Sequence, residues 1–265
     1  MPTNESLQRY TKKVIGLGVV WLSGLGNPTP SSFAIQLATS MENFPKTILW
    51  AWERPEHLKF IDPNSTGIAF LARTLNLRGD EVVIRPRRQP LDVSTNTNLI
   101  AVVRIETDPK TRPTLSSPQL KASANAVTDL VGLMKLRAVQ IDFDAVSSER
   151  EFYRELLSEL RRALPMRLPL SITALASWCM HDPWLDKLPI DEAVPMLFRM
   201  GAGQRQVAAY LKRHAAFNSP ICRHSLGISI DEPLARLPAR QRTYVFNPQP
   251  WTKQSVDQGM KEAAR

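Results

Sequence analysis

Several short runs set ionisable side chains two residues apart at the ends of apolar stretches. The clearest is Val139-Gln140-Ile141-Asp142-Phe143-Asp144; Arg104-Ile105-Glu106 and Ser229-Ile230-Asp231-Glu232 repeat the pattern. In a β-strand this alternation puts Gln140, Asp142 and Asp144 on one face and Val139, Ile141 and Phe143 on the other. Two carboxylates that close resist double ionisation, so the pair tends to keep one proton. A retained proton is what the cleavage of a glycosidic bond needs at its leaving oxygen, with a second carboxylate across the sugar as nucleophile or base. Asp144 is the acid candidate, with Asp142 beside it. Asp231 is the first choice for the partner across a cleft and Glu106 the second. Glu232 follows, because alternation turns it away. Two plainer readings compete. Arg104 with Asp142 or Glu106 could form a self-satisfying ion network, and Asp231-Glu232-Pro233 could start a helix, with Asp231 as N-cap and Pro233 at its first position.

Around these acids, Glu53, Arg104 and Glu232 could bind substrate, orienting hydroxyls or tuning the acid. Trp50, Trp52, Trp178 and Trp251 are candidates for stacking on a sugar ring, of which one or two should line a cleft while the others serve the core. Cys179-x-His181 and Cys222-x-His224 carry metal-type ligands, yet two buried thiols are the default reading, with a disulfide or a zinc site as alternatives. The sequence contains no Gly-x-Ser-x-Gly, P-loop or His-Glu-x-x-His motif, and neither a metal nor a cofactor is expected.

These residues need strands to position them. Short β-type runs cover 47–52, 67–72, 99–106, 138–143, 169–175, 193–198, 225–230 and 243–246. Helical spacing covers 116–135, 147–164, 203–216 and 252–264. Strands separated by helices imply parallel pairing, and eight in this rhythm predict a (β/α)8 TIM-type barrel. No Gly-rich turn follows the first strand, which argues against an open dinucleotide-binding sheet. Residues 81–85 look like an extra strand where the second helix should be, so the barrel should be irregular around its second β/α unit. A barrel also explains the two-faced strands: Ile141 and Phe143 should meet helices, while Gln140, Asp142, Asp144, Arg104 and Glu106 point inward and gather at the C-terminal rim.

The run Val139–Asp144 resembles the fourth-strand signature of family 18 chitinase-type glycosidases, whose alternating acids end in a catalytic Glu. That resemblance implies a glycosidase-like barrel, with Asp142 at the inner Asp, Asp144 in the place of the acid Glu and Gln140 in the place of the first Asp. Pro195-Met196-Leu197-Phe198 is similar to that family's Met-x-Tyr, which implies a substrate-binding place for Met196, with Phe198 lacking the hydroxyl. A closer resemblance is to an uncharacterised bacterial family, domain of unknown function 3142. It rests on Trp50–Glu56, Val139–Asp144, Ser171–Cys179 and Asp191–Met196, and it implies the barrel more than a reaction.

The ends and the bulk composition complete the reading. Arg9, Lys12 and Lys13 precede the apolar run Val14–Leu25, and Ser32-Phe33-Ala34 offers a cleavage site. Residues 1–34 are therefore expected to be a signal peptide or a membrane tether, and 35–265 a single barrel domain that is periplasmic or secreted. A chain of 265 residues with 43% hydrophobic and 22% charged residues can bury a full core. Its net charge of +9 is spread over short clusters such as Arg85-Pro86-Arg87-Arg88. Without a concentrated patch or recognition motif, nucleic acid is not the expected partner; a carbohydrate or envelope polymer is. Carbohydrate turnover is the leading functional reading, glycan binding without turnover the second, and a structural or scaffold protein of the envelope the third.

Overall fold

A computed structural model describes residues 41–234 and 236–265, which fall in one compact unit. The leader expected over 1–34 lies outside the described residues. Eight parallel strands form the barrel: β1 (Thr47–Ala51), β2 (Thr66–Arg78), β3 (Leu99–Thr107), β4 (Ala138–Asp142), β5 (Leu170–Leu175), β6 (Glu192–Met196), β7 (Ser225–Ser229) and β8 (Arg242–Phe246). Each pairs with the next, β8 pairs with β1, and the barrel is closed. The TIM-type barrel read from the sequence is the fold.

The helices are α1 (Ser117–Leu133), α2 (Arg150–Ala163), the single turn α3 (Trp178–His181), α4 (Gln204–Arg213) and α5 (Lys253–Ala263). α2 shows why such a segment is helical and where it packs. Phe152, Tyr153, Leu156, Leu157 and Leu160 recur at helical spacing and all are buried, and the Glu149 carboxylate accepts the Val146 N–H at 2.9 Å just ahead of the helix. The expected irregularity is present. β2 runs on past the barrel and turns back at Gly79, whose φ of +48° suits glycine, into an antiparallel strand over Glu81–Pro86.

Among the described residues no helix links β1 to β2, β2 to β3, or β7 to β8. The helix start considered at Asp231 is thus corrected. The Asp231 and Glu232 carboxylates bind Arg199 instead of capping, and Pro233 and Pro238 interrupt the short connection.

Inner and outer faces separate as the strand alternation requires. Val139, Ile141, Phe143, Ile172, Ala174 and Ile228 belong to the layer beneath the helices. Ile48, Trp50, Ala69, Ile100, Val102, Ala138, Val194 and Tyr244 fill the barrel, with Met41 and Phe44 in the same cluster. Within that filling lies a buried polar network. Glu192 is 1% exposed; it accepts Arg242 Nη1 at 2.5 Å, Tyr244 Oη at 2.7 Å and Ser171 Oγ at 2.9 Å, and also the Ser225 hydroxyl. A buried carboxylate persists only when it is paired and hydrogen-bonded in this way.

The two cysteines are not free thiols. Cys179 in α3 is disulfide-bonded to Cys222, which corrects the default reading of the sequence and removes the zinc alternative. Their Cα atoms stand 5.9 Å apart, well within reach of a bridge.

Candidate active site

The C-terminal ends of the strands surround a cavity of about 500 Å³. On one side β4 delivers Asp142 and, one step past its end, Asp144; both line the cavity with Arg104 from β3 and Thr173 from β5. Rings make up the opposite wall. Phe198 and Phe246 stack with centroids 5.4 Å apart and planes 8° from parallel, and Trp52 meets Phe246 edge-on at 6.1 Å. Trp50, only 2% exposed, forms the floor. Its indole N–H donates to Gln140 Oε1 at 2.9 Å, and Gln140 donates onward to Ser171 Oγ at 3.1 Å. The floor is thereby tied to the Glu192 network below it.

The two acids differ in surroundings. Asp142 is 7% exposed, accepts the Thr173 hydroxyl at Oδ1 and keeps Arg104 Nη1 4.0 Å from Oδ2. Burial lifts its carboxyl to about 6; Thr173 and Arg104 oppose the rise, while the negative charges of Asp144 and Glu106 add to it. Asp144 is open to solvent at the mouth, yet the protein around it is dense enough that burial raises its carboxyl too, against the pull of Arg104. This corrects the expected cause. Like-charge repulsion acts on Asp142, whereas Asp144 is raised by desolvation. Arg104 is committed at Nε to Glu106 at 2.8 Å, and its guanidinium carbon lies 5.8 Å from the Trp52 ring centre.

The remaining sequence candidates divide cleanly. Met196, Arg104, Asp142 and Asp144 line the cavity, and two of the four tryptophans, Trp50 and Trp52, do so. Gln140 lies beneath it, fully buried. Glu106 sits on the rim, paired with Arg104 and outside the lining. Asp231 and Glu232 clasp Arg199 instead of facing the acids: Nη2 reaches Asp231 at 2.8 Å, and Nη1 reaches Glu232 at 2.5 Å. Burial works to raise Asp231, but the Ser229 hydroxyl and Arg199 hold its carboxyl below the usual range, which suits a fixed anion and not an acid.

Glu53 is exposed and outside the lining. Its neighbour Arg54 binds Glu56 and the carbonyls of Asn247 and Pro248, fixing the β1 loop. Trp178 is no substrate platform, because it packs edge-on against Trp184 at 4.8 Å in the helix layer. Trp251 is buried, donating to the Trp50 carbonyl at 2.8 Å.

Phe246 and Arg199 line the site without having been singled out from the sequence, and Phe198, noted there only as a Tyr position without its hydroxyl, lines it as well. Alternation along β6 and β8, which sets Met196 with Phe198 and Tyr244 with Phe246, carried the signal for the two rings. Arg199 follows β6 with a left-handed φ of 52°, and nothing in its local sequence announces that. Among the described residues no cluster of His, Cys, Asp and Glu could hold a metal.

Fold and site together define a closed (β/α)8 barrel with an acid pair facing an aromatic wall at its C-terminal mouth. Residues 95–195 match the family described as "Domain of unknown function (DUF3142)", in line with the resemblance read from the sequence. That span includes β3, β4 and β5, and hence Arg104, Asp142, Asp144 and Thr173. No curated protein matches the chain. Among solved structures, a chain from Listeria monocytogenes provisionally described as a vitamin-B12 independent methionine synthase aligns at 14% identity. The alignment covers 64% of this chain and 63% of that one, with a TM-score of 0.36, too slight to carry an argument.

Proposed function

We propose that this barrel is a carbohydrate-active protein of the glycoside hydrolase type, binding a sugar ring against Trp52, Phe198 and Phe246 and presenting Asp144 as proton donor. The observation that carries the reading is the placement of two carboxylates with raised proton affinity opposite an aromatic wall in one cavity. Aromatic faces suit the apolar face of a pyranose, and a carboxyl whose proton affinity is raised by burial, as that of Asp144 is, suits protonation of a leaving oxygen. Asp142 holds no free role of this kind, since it is buried against Thr173.

One observation favours the alternative, a glycan- or envelope-polymer-binding barrel without turnover. Both acids of the lining come from the end of β4, and among the described residues no carboxylate lines the opposite wall. Hydrolysis would then draw its nucleophile from water or from the substrate itself. A screen of the purified protein against bacterial envelope and exopolysaccharide glycans, reading product release and binding together, separates the two. Asp144→Asn should abolish product release while folding and the binding of neutral glycans persist. Binding across the panel with no release by the unaltered protein moves the reading to the binding module.

Export to the periplasm or beyond is part of the same proposal. It is supported by the order of basic and apolar residues near the N-terminus and by the Cys179–Cys222 disulfide, a bond favoured in oxidising compartments. N-terminal sequencing of the protein from the envelope fraction tests it, and a full-length chain confined to the cytosol argues against it.

A further inference from the structure

The mouth has a charge balance opposite to that of the chain around it. The lining supplies the carboxylates Asp142 and Asp144 and the guanidiniums Arg104 and Arg199, and the ion-pair partners of those two arginines, Glu106, Asp231 and Glu232 at the rim, bring the carboxylates around the mouth to five. The whole chain carries +9. Both guanidiniums are already committed, Arg199 to two carboxylates and Arg104 to Glu106. Asp144 has no hydrogen-bond or ion-pair partner among the described residues. Asp142 has a donor at Oδ1 and only the distant Arg104 at Oδ2.

The acid side of the cavity is therefore rich in acceptors and short of donors, and the wall opposite is built of ring faces. Carboxylates and aromatic faces both attract a cation, and the attraction strengthens in a concave site with low-dielectric walls. A neutral sugar would offer hydroxyl donors but leave the negative charge uncompensated. A uronic acid would add to it.

We infer that the mouth is built for an amino sugar bearing a free ammonium, a de-N-acetylated hexosamine unit, with the ammonium on the acid side of the mouth, in the field of Asp142, Asp144 and Glu106, and the ring against Trp52, Phe198 and Phe246. The inference deepens the carbohydrate reading and rests on it. The ammonium brings the donors and the positive charge that the acid side lacks, and the pyranose ring uses the aromatic wall. Nonspecific attraction works the other way, because a basic protein repels a polycation. A preference for the charged sugar must then come from the mouth itself.

Calorimetric titration of the full chain with three oligosaccharides of equal length provides the test: a fully de-N-acetylated glucosamine oligomer, its fully N-acetylated counterpart and a neutral glucose oligomer. The de-N-acetylated oligomer should bind at least about tenfold more tightly than either of the others, a ratio in keeping with one partly screened ion pair. In Asp144→Asn that ratio should collapse toward one, through weaker binding of the charged oligomer alone. Equal or tighter binding of the N-acetylated or neutral oligomer overturns the amino-sugar inference and leaves the carbohydrate reading standing. Binding of spermidine as tight as that of the amino-sugar oligomer also overturns it, since the ring would then contribute nothing. Binding of none of the three oligomers overturns the inference together with the carbohydrate reading for this panel.

Discussion

The Thr173 hydroxyl donates to Asp142 Oδ1 at 2.7 Å, one step beyond the Ile141–Ile172 register pair of β4 and β5. It is the shortest-range influence holding the Asp142 carboxyl down while burial pushes it up. Thr173→Val keeps the shape of the side chain and removes the donor. The Asp142 carboxyl should then titrate higher than in the unaltered protein, and at pH 8 the variant should be less stable by roughly 1.5–3 kcal/mol, the usual worth of a hydrogen bond to a charged group. Carbon-detected NMR titration and urea unfolding read the two effects. An unchanged or lowered Asp142 titration would remove Thr173 from the account.

Asp142 also gives stability a pH dependence of defined sign. Its carboxyl titrates near 3.8 when unfolded and near 6 when folded. Between these values the folded state holds the proton more often than the unfolded state does. The contribution of Asp142 is therefore greatest below pH 4, declines as pH rises from about 4 to about 6, and is lost above that window. The change is roughly 3 kcal/mol at most for a shift of this size. Asp142→Asn should flatten this component and be more stable than the parent at pH 8. Urea midpoints measured from pH 4 to pH 8 check it; a parent whose stability rises through that interval at the same rate as the variant contradicts the assignment.

The Glu192–Arg242 pair lies deep in the barrel, with side chains 1% and 5% exposed. Glu192→Gln leaves a buried guanidinium without its counter-charge and should cost about 3–5 kcal/mol. Because Glu192 reaches Gln140 through Ser171, and Gln140 holds the Trp50 indole, the loss should also blue- or red-shift tryptophan emission in the still-folded protein. Loss of stability with an unaltered emission spectrum would show that the network supports the barrel without fixing the cavity floor.

Gly227 on β7 lies under the same indole. A Cβ there would stand 2.6 Å from Trp50 Cη2 and 2.9 Å from Cζ3, and the ring cannot yield freely while its N–H is bound to Gln140. Gly227→Ala should destabilise by about 1–3 kcal/mol through overpacking and weaken binding of any ligand seated on the floor. Full affinity and unchanged stability in this variant would mean that the floor is softer than its contacts imply.

Much of this was decided by the sequence alone. The alternation of Val139 to Asp144 commits Asp142 and Asp144 to one face and Ile141 and Phe143 to the other, since a strand has no other way to distribute them. Apolar runs separated by amphipathic helices such as 150–163 leave few arrangements besides a parallel barrel, and the extra strand at 81–86 is legible because no helical spacing occupies that place. Tertiary structure decided which charges meet. Asp231 and Glu232 sit at a strand end just as Asp144 does, yet they close on Arg199, a contact made across two loops whose relative placement no local pattern encodes. Trp178 and Trp52 are equally suited to stacking by type; one turn of helix sends the first into the outer core, and the end of β1 sends the second into the mouth. The pairing of Cys179 with Cys222 likewise depends on where α3 meets the segment before β7. Local periodicity fixes which face a residue occupies, and only the closed barrel fixes what stands across from it.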